Sequence, residues 1–312
     1  MSKFIWVDSG RKLQSAEKDI NASKLIGIDT EYDSFRYFRE KLCLIQIKTD
    51  HKTYLFDPLN HIDMSFLAAP FSDAAVPKIF HAGDNDIRLL NRDFQFEFRA
   101  VFDTQKAASL LGCKHLSLAS VIQEILGIEW LKTKHIQRSQ WDMRPLSEEQ
   151  KKYAAQDIEY LLPLYVKLSR DLEKVGLQAA AEQAFKEIAA VKWNERTYDT
   201  CAFFKINGFQ ELRGRQKDRL KRLHAWRFKT AKATDTAVFM ILSDRNLIDL
   251  ARLQVHTVDQ LEKSCLLREG KIQKFGAEII GILQTTNSGD YRRTQAGCKS
   301  PAEKAYATKG AS

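Results

Sequence analysis

Three strand-like runs crowd the early part of the chain, and their spacing limits the fold more than any other feature. They are residues 24–29 (KLIGID), 42–47 (LCLIQI) and 53–56 (TYLF), the last closed by Asp57-Pro58. The connections leave no room for crossover helices, so the three are expected to pair as an antiparallel meander. Residues 78–81 (KIFH) and 100–103 (AVFD) read as two more strands. Helical patterns adjoin them, which favours parallel entry into the same sheet. The pattern is helical from residue 116 to about 190, so the first domain is expected to be α/β and to span residues 1–190. Residues 191–211 read as a linker and 212–285 as an all-helical domain. Residues 286–312, poor in large apolar side chains, are expected to be a disordered tail.

Three separated segments carry the chemistry. Asp29-Thr30-Glu31 stands at the end of the first run. Residues two apart on a strand share a face, so both carboxylates project together, and a divalent cation would relieve their repulsion. Alone, the segment is equally a solvated strand end. His81-Ala82-Gly83-Asp84-Asn85-Asp86-Ile87 follows a strand. Asp84 or Asn85 suits a helix N-cap there, and Asp86 would enter the helix that follows. Tyr153 and Asp157, four apart, fall on one helix face. Ser147-Glu148-Glu149-Gln150 before them has the form of a capping box. Alone, this pair is an ordinary tyrosine above a solvated aspartate. Together the segments offer four carboxylates and a phenol, a set suited to two hard cations about 3.5–4 Å apart. Oxygen-only ligation favours Mg²⁺ or Mn²⁺.

Charge points to a polyanionic partner. The formal net charge is +9, and residues 205–234 hold ten Lys or Arg against Glu211 and Asp218. Arg213, Arg215, Lys217, Arg219, Lys221 and Arg222 form the dense part, a candidate grip on a phosphate backbone or a solvated face of an amphipathic helix. Phe35, in a loop after the first acids, is a candidate base-stacking residue, with burial the competing reading. Trp130 and Trp141 are read as buried residues at least as readily as base contacts, and His81, without ligand-type spacing, as a structural or surface residue. Five scattered cysteines without a C-x-x-C pair argue for reduced thiols rather than a disulfide framework or a cysteine zinc site. With no apolar run near 20 residues and no signal-peptide core at its start, the chain is expected to be cytoplasmic, or nuclear in a nucleated cell, without membrane association.

The segments IGIDTEYDSF with KLCLIQI, KIFHAGDNDIRLL, SQWDMRPLSEEQ and QKKYAAQDIEYLLPLY occur in an order and wording that resemble ribonuclease D, within the DEDD exonuclease superfamily. The resemblance covers roughly residues 3–190. It implies a ribonuclease H-like mixed five-stranded sheet. It assigns Asp29, Glu31, Asp86 and Asp157 to the metal-binding acids and Tyr153 to the tyrosine of the DEDDy subgroup, which positions or activates the attacking water. Asp84, two places before Asp86, is an extra acid near the motif. RLKRLHAWRFKTAKATDTAVFMILSDRNLIDLARL and KFGAEIIGIL resemble an HRDC domain over about residues 212–285. The family implies a monomeric 3′→5′ exoribonuclease with two divalent ions, trimming single-stranded 3′ ends of tRNA precursors and other small stable RNAs. A DNA 3′→5′ exonuclease in repair and a non-catalytic nucleic-acid-binding protein remain the alternatives.

Overall fold

The computed structural model describes residues 3–8, 10–130 and 134–285, and the expected tail lies outside them. Two compact units emerge. One comprises residues up to Asp33 and Glu40–Glu195; the other comprises Ser34–Arg39 and the residues from Arg196 onward.

The first unit is built on a sheet of β1 (Ile5–Val7), β2 (Ile26–Asp33), β3 (Lys41–Lys48), β4 (Thr53–Phe56), β5 (Lys78–Phe80) and β6 (Val101–Asp103). Their order is β1-β4-β3-β2-β5-β6. The central three form the antiparallel meander, and β5 and β6 add in parallel beside β2. The sheet has six strands rather than five. The addition is β1, which pairs in parallel with β4, Ile5 opposite Tyr54. Three residues ending before Asp8 are too few to show a strand period, and only the crossover through the Gly10–Ala22 helix brings them to the edge.

Both faces of the meander are covered. Ile45 and Ile47 join Val7, Ile20 and Phe56 in one core, while Leu44 and Leu55 pack with Trp141, Tyr153 and Ala154 in another. This two-sided burial explains why β3 reads as a near-continuous apolar run. The Leu161–Lys174 helix buries Leu161, Leu164, Leu168 and Leu172 at helical spacing. Each contributes about 2 kcal/mol of apolar burial. A Cβ on Gly27 would come to 2.9 Å of Leu162 Cδ1 and 3.4 Å of Leu161 Cβ on that helix, so strand and helix approach closely there.

The second unit is helical: Arg215–Ala233, Val238–Ile241, Asp244–Arg252, Val258–Lys263 and Glu269–Gln284. The expected short helices are there, but the first and last run to 19 and 16 residues. Leu220 and Leu223 share a core with Phe203, Phe209, Leu247, Leu250, Phe275 and Ile279. Cys43, Cys113 and Cys265 are free thiols. Cys201 is disulfide-bonded, a correction to the fully reduced reading. Among the described residues, no helix is long and apolar enough to cross a membrane.

Candidate active site

The end of β2 and the Glu148–Asp157 helix create the acidic centre. Strand alternation puts Asp29 and Glu31 on one face. The helix begins at a full capping box: Gln150 N donates to Ser147 Oγ, and Ser147 N to Gln150 Oε1. That start sets the phase of Tyr153 and Asp157, both buried one turn apart. Carboxylate oxygens of Asp29, Glu31 and Asp157 lie within 4.8 Å of one another. At an effective dielectric of 20, two unit charges at such a separation repel by roughly 3 kcal/mol. Three oxygen donors converging with like charge are a fitting seat for a hard divalent cation. Burial, then the charges of Asp157 and Glu31, push the Tyr153 phenol far above its ordinary range. Tyr153 therefore stays protonated and acts as a hydrogen-bond donor.

Asp86 stands outside this triplet. Thr30, between the two strand acids, donates its hydroxyl to Asp86 Oδ1 in a short hydrogen bond. Asp86 is buried on the Asp84–Phe94 helix. Burial pushes its carboxyl up to about 6, against the lowering effect of the Thr30 bond. Neither Asp84 nor Asn85 caps that helix: the N-cap is Gly83, which makes no side-chain bond. Asp84 is exposed, and Asn85 Oδ1 accepts from Arg88 Nε at 3.1 Å. The cap reading fails because the turn places Ala82 at φ 58° and starts the helix one residue early. Gly83 is enforced by Phe80, whose Cβ would lie 2.4 Å from any added side chain. Asp103 Oδ2 accepts from Gly83 N at 2.8 Å and fastens the turn. His81 bridges Thr104 Oγ1 at 2.9 Å and the Leu116 carbonyl at 3.0 Å, a structural role.

Sequence reasoning singled out the SQWDMRPL stretch but gave Arg144 no task. Its guanidinium grips the fully buried Asp57, Nε to Oδ2 at 2.5 Å and Nη2 to Oδ1 at 2.6 Å. It also donates to the carbonyls of Cys43 and Trp141, each at 2.7 Å. This fork ties the segment leading into the Tyr153 helix to the ends of β3 and β4. Two X-Pro steps, Asp57-Pro58 and Arg144-Pro145, were the available signal. Trp141 is buried against Tyr153, ring centroids 6.1 Å apart, and is no base platform.

The second unit sorts the basic candidates. Arg213 and Arg215 are exposed and Lys221 is partly so. Lys217 Nζ stands 4.7 Å from the Phe209 ring centre. Arg222 pairs with Asp218 at 2.8 Å. Arg219 donates to the Leu283 and Leu253 carbonyls at 3.0 and 2.8 Å, closing two helix ends. Phe35 is 64% exposed, its ring 4.8 Å from that of exposed Phe239.

Residues 4–173 match the profile of the 3′-5′ exonuclease family, and residues 216–283 that of the HRDC domain. Ribonuclease D of Escherichia coli (strain K12) is 30% identical over 275 residues, 87% of this chain and 72% of that protein. The solved structure of Escherichia coli RNase D, described as an exoribonuclease involved in structured RNA processing, superposes with a TM-score of 0.68 at 27% identity. The match covers 96% of this chain and 78% of that one. Protein RRP6-like 3 of Arabidopsis thaliana is 27% identical over 83% of this chain. The chain spans only 31% of that relative's length. The exonuclease family implies divalent metal ions, and the acidic triplet supplies a seat for them.

Proposed function

The chain belongs to the ribonuclease D family of 3′-5′ exonucleases, and from that premise we propose that its acidic centre hydrolyses the terminal phosphodiester at RNA 3′ ends. A 5′-mononucleotide leaves in each cycle. The observation that carries this reading is the convergence of Asp29, Glu31 and Asp157 within 4.8 Å beside a buried tyrosine.

Asp29, Glu31 and Asp157 would hold one divalent cation, with Asp29 shared with a second and Asp86 steadying the strand through Thr30. Two such ions, Mg²⁺ or Mn²⁺, supply the charge that activates water and stabilises a departing oxygen when bound. Tyr153 keeps its proton and orients the attacking water by donating to it. The helical unit holds the body of the RNA: exposed Arg213 and Arg215, with Lys217 and Lys221, meet phosphates, while Arg219 and Arg222 are engaged within the unit. Phe35 offers its open ring to a base. The substrates in this reading are single-stranded 3′ ends of tRNA precursors and other small stable RNAs, met by a monomer in the cytoplasm. The organisation in this reading is an exonuclease domain over 1–190, a linker over 191–211 and an HRDC domain over 212–285.

The test is a 5′-labelled single-stranded RNA with Mg²⁺ or Mn²⁺, run beside a 3′-blocked copy, a DNA of the same sequence, and the Asp157→Ala variant. A ladder shortening from the 3′ end of RNA, lost with EDTA, the blocked end or the variant, is the expected result. Shortening of DNA alone would reassign the substrate. Binding of RNA without shortening under either metal would sink the enzyme reading.

A further inference from the structure

Strand β3 carries an amide with unused bonding capacity. Gln46 is 0% exposed, and neither its Nε2 nor its Oε1 has a hydrogen-bond partner among the described residues. Buried side-chain amides nearly always find partners, and leaving both ends unmade is costly. A methionine of similar volume would fill the same space without that cost. The location gives the amide a purpose. Gln46 lies directly opposite Asp29 in the β2–β3 pair and opposite Leu55 in the β3–β4 pair. Directly opposed residues of an antiparallel pair share a face, their Cβ atoms about 5 Å apart. Leu44, two residues along β3, and Leu55 both pack against Tyr153, Ala154 and Ala155. The helix that supplies Tyr153 and Asp157 therefore covers the face bearing Gln46. Gln46 lies on the face of β3 that this helix covers, directly across from Asp29.

We propose that Gln46 is a positioning residue for this centre: when a divalent cation is bound, its otherwise unpaired amide nitrogen turns to donate to the Asp29 carboxylate and holds it in the orientation that keeps the ion. An amide suits the task because it donates a hydrogen bond without adding a fourth negative charge or a competing cation. This role rests on the divalent-ion reading above.

Gln46→Met and Gln46→Asn in the full chain test it, with three readouts: melting temperature without metal, Mn²⁺ affinity by calorimetry, and kcat and KM on RNA. The methionine variant is expected to melt at or above the wild-type temperature without metal, since it removes an unpaired buried group. Its Mn²⁺ affinity is expected to fall about 10- to 100-fold, as for other residues that orient metal ligands. kcat should fall with KM for RNA unchanged, and the asparagine variant should lie between. Mn²⁺ affinity within twofold of wild type for the methionine variant would overturn the proposal. So would a lowered metal-free melting temperature, or failure of both variants to fold, since either makes Gln46 a structural residue. Wild-type protein that takes up no Mn²⁺ would overturn the divalent-ion reading itself, an outcome distinct from equal binding by wild type and variant.

Discussion

The acidic centre of the sheet unit and the basic helix of the helical unit hold their charge in opposite ways. At the centre, Asp29, Glu31 and Asp157 bring like charges within 4.8 Å on rigid elements. On the Arg215–Ala233 helix, much of the charge is already engaged: Arg222 with Asp218, Arg219 with two carbonyls, and buried Arg227 with Asp244 at 2.8 Å. The lesson is that a charge count measures neither region. What distinguishes the centre is that the fold brings three like charges together on rigid elements, whereas these cations of the helix are matched locally.

The largest expected effect follows from the centre. Asp29→Ala and Asp157→Ala should each lower kcat for 3′-end hydrolysis at least about 10³-fold, some 4 kcal/mol of barrier, while RNA affinity changes little. Matched losses of affinity would erase the contrast with the basic helix. Next is Arg144, a cation of the sheet unit spent on structure. Arg144→Ala leaves buried Asp57 without its fork and should cost about 3 kcal/mol or more in urea unfolding. Arg144→Lys should restore only part, because an ammonium cannot make the bidentate contact.

These contrasts were only partly legible in the sequence. The meander was readable because the short connections between its apolar runs leave no room for crossover helices. β1 was not, because Ile5–Val7 becomes a strand only through pairing with β4. Asp29, Glu31, Tyr153 and Asp157 could be grouped from strand and helix spacing. The Thr30–Asp86 bond could not, since it joins residues 56 positions apart. Over residues 213–222 the sequence showed six similar cations. Which were spent depended on the carbonyls of Leu253 and Leu283, distant groups that no spacing rule reaches. Gln46 looked like one polar interruption in an apolar strand, and only its register opposite Asp29 gives it meaning.

A smaller effect tests how the helical unit treats charge it cannot pair. Burial, followed by the nearby Arg227 charge, pushes His224 down to about 4. Its ring nitrogen Nδ1 meets the Tyr198 hydroxyl at 3.2 Å. A histidine with a depressed folded pKa takes up protons more readily when unfolded. Its contribution is complete above about pH 6.5 and is lost as pH falls toward 4, by up to about 1.4 kcal/mol per pH unit. Urea unfolding of this unit across that window should show the slope, and His224→Gln should flatten it. The smallest effect is on binding. Arg213→Ala with Arg215→Ala should weaken RNA binding several-fold and reduce the salt slope by about 0.7 for each phosphate no longer neutralised. Arg219→Ala should instead lower stability with little change in that slope.

The central claim, that the three carboxylates are held against their own repulsion for a divalent cation, is tested most directly by thermal unfolding of wild type and Asp157→Asn with and without Mn²⁺. The variant is expected to melt higher than wild type without metal, because one charge has left the cluster. Mn²⁺ at 100 times its dissociation constant should stabilise wild type by about 2.7 kcal/mol and leave the variant unmoved. A variant that melts lower without metal, or equal Mn²⁺ shifts in both proteins, would contradict the claim.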